Sequence, residues 1–332
     1  MKLALAGDTM LGRGVAEALE SVGPRGLFSE DVVEIVREAD LFVLNLECCI
    51  SRRGSPWPAP GKPFFFRAPP AAVETLLHLG VDCVTLANNH ALDFGYDALL
   101  DTFDYLDAAG IRWAGAGPDL ERARQPIWLE SGGLRLTVVA LTDHPRDFAA
   151  RPDRPGVAYA DLRTGIPDWI VEALAAAGGK PTDEPTPRVG LREGVDAVLL
   201  KPHWGPNMTL EPPAYVRRAA AELRRHATLI AGHSAHVFHG VEGNVIYDSG
   251  DFIDDYAVDP VLRNDLGLLF LVTLDAQGPA RLEAVPLMLE FCYTRLAEGA
   301  EAEWIRRRFR AACQALGTSV GEEDGRLVVG LR

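Results

Sequence analysis

The sequence predicts an α/β fold, a pair of mixed sheets with helices outside them, and two observations predict it. Short apolar runs bounded by turn residues recur at residues 3–6, 41–46, 83–87, 136–141, 197–200, 228–231, 245–247 and 268–274, and segments with helical apolar spacing separate the early ones. The early runs are almost continuously apolar, as strands covered on both faces are, whereas those between residues 237 and 289 follow one another across short turns and read as antiparallel.

The elements follow in order. The first run, Leu3-Ala4-Leu5-Ala6, ends at Gly7-Asp8 and reads as an opening strand. Helical spacing marks residues 31–39, 70–79, 96–109 and 212–226. Residues 51–62, around a Pro-Trp-Pro-Ala core, and 178–193, rich in Gly, Pro, Thr and charge, read as exposed loops. A helix over 303–316 carries one apolar stripe of Trp304, Ile305, Phe309, Ala312, Cys313 and Leu316, and a short strand is expected at 326–331. The expected organisation is one main domain over 1–296, with a helix and strand from 297–332 packed on it.

Composition narrows the function classes. With 48% hydrophobic and 24% charged residues in 332, the chain has the make-up of an ordinary globular protein. Against 33 Lys and Arg stand 47 Asp and Glu, and a formal charge of −14 argues against a nucleic-acid or anionic-membrane binder. The five cysteines are scattered, with no paired spacing of a zinc ribbon, and fit a reducing compartment. The first apolar stretch is too short for a signal segment, and no run approaches the roughly eighteen apolar residues that cross a bilayer. A cytoplasmic protein without membrane contact is the expectation.

The chemistry sits at the strand ends. Gly7-Asp8-Thr9-Met10, Asn45-Leu46-Glu47, Asn88-Asn89-His90 with Asp93, Lys201-Pro202-His203-Trp204-Gly205 and Gly232-His233-Ser234-Ala235-His236 each follow an apolar run, with His239 nearby. In open α/β sheets ligands collect at the C-terminal ends of strands, so these five loops could converge. Carboxylates, imidazoles and amide oxygens without thiolates suit Zn, Mn or Fe, and a bridging carboxylate would let two ions activate water and neutralise a phosphoryl oxygen.

Taken singly, the residues keep plainer readings. Asp8 suits a helix N-cap as well as a ligand, and Asn88 and Asn89 suit an Asx turn. His203 beside Trp204 could be a packed, hydrogen-bonded histidine, whereas the close spacing of His233 and His236 favours a shared metal. His78, His144 and His226 show no partner pattern and read as structural or solvated, and Arg306-Arg307-Arg308 reads as a solvated helix face.

The order of motifs resembles a known family. Gly-Asp-x-Met-Leu-Gly at 7–12, Asn-Leu-Glu at 45–47, Asn-Asn-His-x-x-Asp-x-Gly at 88–95, His-Trp-Gly at 203–205, Gly-His-x-x-His-Val at 232–237 and Tyr-Asp-Ser-Gly-Asp-Phe at 247–252 resemble the CapA-like capsule-synthesis family. That family is associated with poly-γ-glutamate capsule production and is similar to the calcineurin-like metallophosphoesterases. The resemblance covers about residues 1–290 and implies a four-layer α/β/β/α sandwich of metallophosphoesterase type with a dinuclear centre.

By the resemblance, Asp8, Glu47, Asn89, His203, His233 and His236 are the metal ligands, with Glu47 as bridge, while His90 acts as an acid held in one tautomer by Asp93. His239, Asn88 and Asp251 are further candidates. The chain departs from the metallophosphoesterase pattern at Met10, where a ligand His usually stands, and His239 is a candidate replacement for a lost ligand. Lys201, Arg13 and Arg67 lie beside motifs or strand ends and could hold an anion, or could be surface charges. The expected activity is metal-dependent hydrolysis of a phosphoester by a metal-bound hydroxide, on a small or oligomeric anionic substrate. The alternative is an accessory role in poly-γ-glutamate synthesis.

Overall fold

Alternate residues of the first strand, Lys2–Thr9, enter different cores. Leu3 and Leu5 lie in an apolar cluster with Val138 and Leu199 of other strands, whereas Ala4 and Ala6 join Val15, Val32, Leu76 and Leu99 of the flanking helices. Side chains two apart share a face of a strand, so this strand is covered on both sides, as its unbroken apolar run requires.

The computed structural model describes residues 1–58, 60–178, 197–275 and 277–332. The loop expected at 178–193 lies, but for Gly178, outside them.

Among the described residues the larger sheet has ten strands. Its main path runs Gly321–Glu323, Arg326–Gly330, Gly278–Glu290, Leu266–Asp275, Lys2–Thr9, Leu41–Leu46, Cys83–Thr85 and Arg112–Ala114. The last four strands of that path run parallel, and Leu266–Asp275 joins them antiparallel. The second sheet has six, in the order Val241–Glu242, Val245–Ile246, Leu229–Ala231, Ala197–His203, Leu134–Thr142 and Ile127–Ser131. Both sheets are mixed, and the fold is α/β. Side chains from both sheets share one cluster, and Val139, Leu141, Val198, Leu200 and Ile230 form another with the helices Asp168–Ala176 and Ala214–Leu223.

The later strands differ from the antiparallel expectation in two places. Val245–Ile246 pairs parallel with Leu229–Ala231, and Asp251–Ile253 pairs parallel with the first strand. Asp251–Ile253 fills a place beside the end of the first strand, far from it in sequence, whereas Val245–Ile246 also pairs antiparallel with Val241–Glu242 just before it. The C-terminal helix Gly299–Ala315 opens with a capping box between Glu298 and Glu301 and places Ile305, Phe309 and Cys313 in the cluster shared by the sheets. Arg326–Gly330 pairs with Gly278–Glu290. All five cysteines are buried and free.

Candidate metal centre

Strand register assembles the site. In the larger sheet Asp8 stands between Asn45 and Asp251, and Asn45 pairs in turn with Thr85. In the second sheet His203 stands between Thr142 and His233. Parallel strands end on the same side, so residues hundreds of positions apart become neighbours.

Close approach of the backbones holds the rows together. A Cβ on Gly7 would overlap Gly250 O, and one on Gly232 would overlap Trp204 and Tyr247 O, so only glycine fits either place. Ser234 and His236 adopt φ of 124° and 60°, conformations that cost an L residue about 1–3 kcal/mol each. Hydrogen bonds offset that strain: Ser234 N donates to Asp8 Oδ2 at 3.2 Å, Ser234 Oγ to Gly205 O at 3.0 Å, and Ala235 N to Asp248 Oδ2 at 2.8 Å.

Two groups of donors meet at Asp8, one with His203 and His233, the other with His236 and Asp251. Asp8 Oδ1 lies 3.3 Å from His233 Nδ1 and 4.0 Å from His203 Nδ1, and the two Nδ1 atoms are 2.8 Å apart. Asp8 Oδ2 lies 3.4 Å from His236 Nδ1, which is 2.8 Å from Asp251 Oδ1. Donors on one ion at about 2.0–2.2 Å stand roughly 3–3.5 Å apart; the Asp8 spacings to His233 and His236, 3.3 and 3.4 Å, fall in that range, and the 2.8 and 4.0 Å spacings lie on either side of it. Asp8 is thus the carboxylate common to both groups. Glu47 stands to one side, its Oε1 4.0 Å from His203 Nε2 and 3.9 Å from His90 Nε2.

The electrostatics call for cations. Asp8, Glu47, His203, His233 and Asp251 are all buried, and both Glu47 oxygens, Asp251 Oδ2 and the Nε2 atoms of His203, His233 and His236 have no hydrogen-bond partner. Burial, and then the charges of Asp8 and Asp251, push the Glu47 carboxyl well above its usual range. Burial, then Asp254 and Asp8, does the same to Asp251, and burial pushes Asp248 up to about 7. At Asp8 burial is outweighed: the His233 hydrogen bond and the charges of His233, His203 and His236 hold it below the carboxylate range. Burial lowers His233 to about 4 and holds His203 well below its usual value, which keeps both imidazoles neutral as metal ligands must be. Neutral imidazoles and buried carboxylates with unmet lone pairs fit divalent ions such as Mn, Fe or Zn.

His90 and Asp93 form a dyad beside these donors. His90 Nδ1 is 2.6 Å from Asp93 Oδ2, which also accepts from Phe66 N at 2.7 Å. Burial lowers the His90 pKa against the opposing pull of Asp93. Lys62 pairs with Asp93 Oδ1 at 2.8 Å and donates to Asn89 O at 2.7 Å. A cavity of about 300 Å³ opens on this edge, lined by Lys62, Phe64, Asn89, His90, His236 and Tyr256 among others. The buried Asn89 Oδ1 has no partner.

Other sequence-based candidates lie apart from the donor groups. Asn88 is occupied by protein: Nδ2 donates to Asn45 Oδ1 and Leu46 O, and Oδ1 accepts from His90 N. His239 Nε2 donates to Thr209 O, and neither donor group includes it; Met10 is a core residue. Lys201 is fully buried with Nζ 3.3 Å from Ala6 O, beneath the site instead of open to a substrate anion. Arg67 donates to Arg53 O and lies over Phe94, and Arg13 pairs with Asp255 at 3.3 Å and lies over Phe64. Both guanidinium groups thereby serve loop packing.

Sequence reasoning passed over several members of the site. Asn45 donates to Asp8 Oδ1 at 2.8 Å and so orients it, a place the register with Asp8 explains. His144 follows a strand end, the signal used for the other loops; it is hydrogen-bonded to Asp143, and its ring lies 5.1 Å from that of His203. Lys62 sits in a Pro-rich loop and carried no signal.

Comparisons with known proteins agree with the motifs. A probable polyglutamine synthesis accessory protein of Mycobacterium tuberculosis is 29% identical, over 95% of this chain and 92% of that one. The PGA biosynthesis protein CapA of Bacillus subtilis is 26% identical, over 86% of this chain and 71% of that one. Among solved structures a phosphatase from Mycoplasma pneumoniae is similar at 12% identity and a TM-score of 0.48, over 87% of this chain and 93% of that one. The family model described as bacterial capsule synthesis protein PGA_cap matches residues 2–256, which carry every donor described above, and the chain belongs to that family.

Proposed function

We propose that this chain is a metal-dependent hydrolase, of phosphoesters in the first instance, holding two divalent ions among Asp8, Glu47, Asn89, His203, His233, His236 and Asp251. The observation that carries this reading is the surplus of buried, unpartnered donor atoms around Asp8, next to a cavity that also receives a His–Asp dyad. Divalent ions bound there would supply Lewis-acid polarisation of a phosphoryl oxygen and a lowered pKa for attacking water.

The chain's own residues do the rest. With Nδ1–H donated to Asp93, the imidazolium form of His90 carries its second proton on Nε2, from which it is passed to the departing oxygen, leaving the ring neutral. The Lys62 ion pair holds Asp93 in place, and Asp93 in turn stabilises the protonated ring. Asn45 fixes the rotamer of Asp8. Phe66 packs edge-on against His90 at 4.7 Å and excludes water from that side.

A second reading draws on the relatives' names: an accessory role in building or handling an anionic polymer such as poly-γ-glutamate, with the ions organising carboxylates. Purified protein assayed for metal content and for hydrolysis of aryl phosphomonoesters and phosphodiesters separates the two. Stoichiometric Mn, Fe or Zn with metal-dependent release of product is the expected result. Turnover that survives complete metal removal overturns the mechanism, and metal without turnover across an ester and amide panel favours the accessory reading.

A further inference from the structure

A second cavity, of about 770 Å³, is walled in part by Trp57, Arg146, Arg151, Arg154 and Tyr159. It borders the candidate centre through three contacts. Trp57 N donates to Asp93 O at 2.7 Å, and the Trp57 ring packs edge-on against Phe148, over which the Lys62 ammonium lies at 5.1 Å. Arg146 follows two residues after His144, whose ring neighbours His203.

The three arginines are unlike many others in this acidic chain. Arg53, Arg281, Arg295 and Arg326 each pair with a carboxylate. Among the described residues Arg146, Arg151 and Arg154 have no ion pair, although Asp147 and Asp161 stand in the same wall. Arg154 is half-buried, and its Nε is buried without a hydrogen-bond partner. Arginines without an ion pair lining one cavity, Arg154 also lying over the Tyr96 ring at 5.9 Å, are suited, in a protein of formal charge −14, to bidentate capture of oxyanions.

We infer that this arginine-lined cavity is a subsite for the anionic portion of the substrate, a segment bearing several carboxylate or phosphate groups. Three forks and a volume more than twice that of the cavity beside His90 call for more than a single small anion. The inference rests on the proposed function for the word substrate, and gives that substrate a second point of attachment. An extended anion held here would reach along Trp57 toward the His90–Asp93 dyad.

Calorimetric titration of the metal-loaded protein with a γ-linked glutamate hexamer and, separately, with tripolyphosphate tests it. One probe is expected to bind one to one, more weakly as salt rises. The R146A/R154A double variant should bind at least tenfold more weakly at unchanged metal content and melting temperature, and the exposed R146E alone should show a loss of the same sign. Hexamer binding assigns the subsite to carboxylates, tripolyphosphate binding to phosphates. Failure of both probes, or equal affinity in wild type and the arginine variants, overturns the subsite. Binding that follows the arginines in a protein without hydrolytic activity leaves the subsite standing and removes only the hydrolase reading.

Discussion

The Nδ1 atoms of His203 and His233 lie 2.8 Å apart in a fully buried position. At that distance one Nδ1–H can donate to the other nitrogen, and with both nitrogens unprotonated a cation shared between them would take the place of that proton. Together with Asp8 Oδ1 they form one of the two donor groups able to hold an ion. Replacing His203 or His233 by Ala should therefore lower metal affinity by more than roughly tenfold, the loss that follows even from disturbing the groups around a ligand. Metal analysis after gel filtration measures it, and full retention of metal in both variants would contradict the assignment.

In the proposed mechanism His90 and Asp93 act on the proton and not on the ions. Exchange of His90 for Asn should reduce kcat by about 10²–10⁴-fold at unchanged metal content, the usual share of general-acid catalysis. Asp93→Asn should cost less and should shift the acid limb of the pH–rate profile. A substrate whose leaving group needs no proton should restore much of the lost rate in both.

Metal-free protein should lose stability as pH rises above about 7.5, past the titration of unfolded histidine. In that range unfolded histidines are nearly neutral, so the depressed values of His203 and His233 contribute little slope, and the buried Lys201, lowered to about 8, opposes the decline by no more than one proton. The carboxyls of Glu47, Asp251 and Asp248, the last near 7, still hold protons in the folded state that the unfolded chain has lost. More protons on the native state means that stability falls with rising pH. Melting temperatures from about pH 7.5 to 9 should decline without metal, stay level with saturating Mn, and decline less in metal-free Glu47→Gln.

Gly7→Ala tests the contact that brings Asp8 to Asp251. Its added methyl would overlap Gly250 O, so the first strand and the Asp251–Ile253 strand would have to part. Destabilisation above about 3 kcal/mol in urea, in the range of severe overpacking, should accompany loss of metal. Wild-type stability would mean that the backbones meet less closely.

Much of the fold was legible because burial on two faces writes itself as unbroken apolar runs. The strands near residues 3–6, 41–46, 136–141 and 268–274 lie where those runs predicted. The short Asp251–Ile253 strand beside the first was not legible in its pairing, since a three-residue segment has no period to read.

What the sequence by itself determined was the donor inventory and its address: acids, amides and imidazoles placed where apolar runs stop. Only the tertiary structure decided which donors share a corner. Strand register set Asp251 and Asn45 on either side of Asp8 and His203 against His233. It also left Asn88 tied to Asn45 and Leu46, Lys201 beneath the site, and His144 beside His203. Register depends on which strands lie side by side, a choice made by packing both sheets and their helices at once, and local spacing carries no record of it.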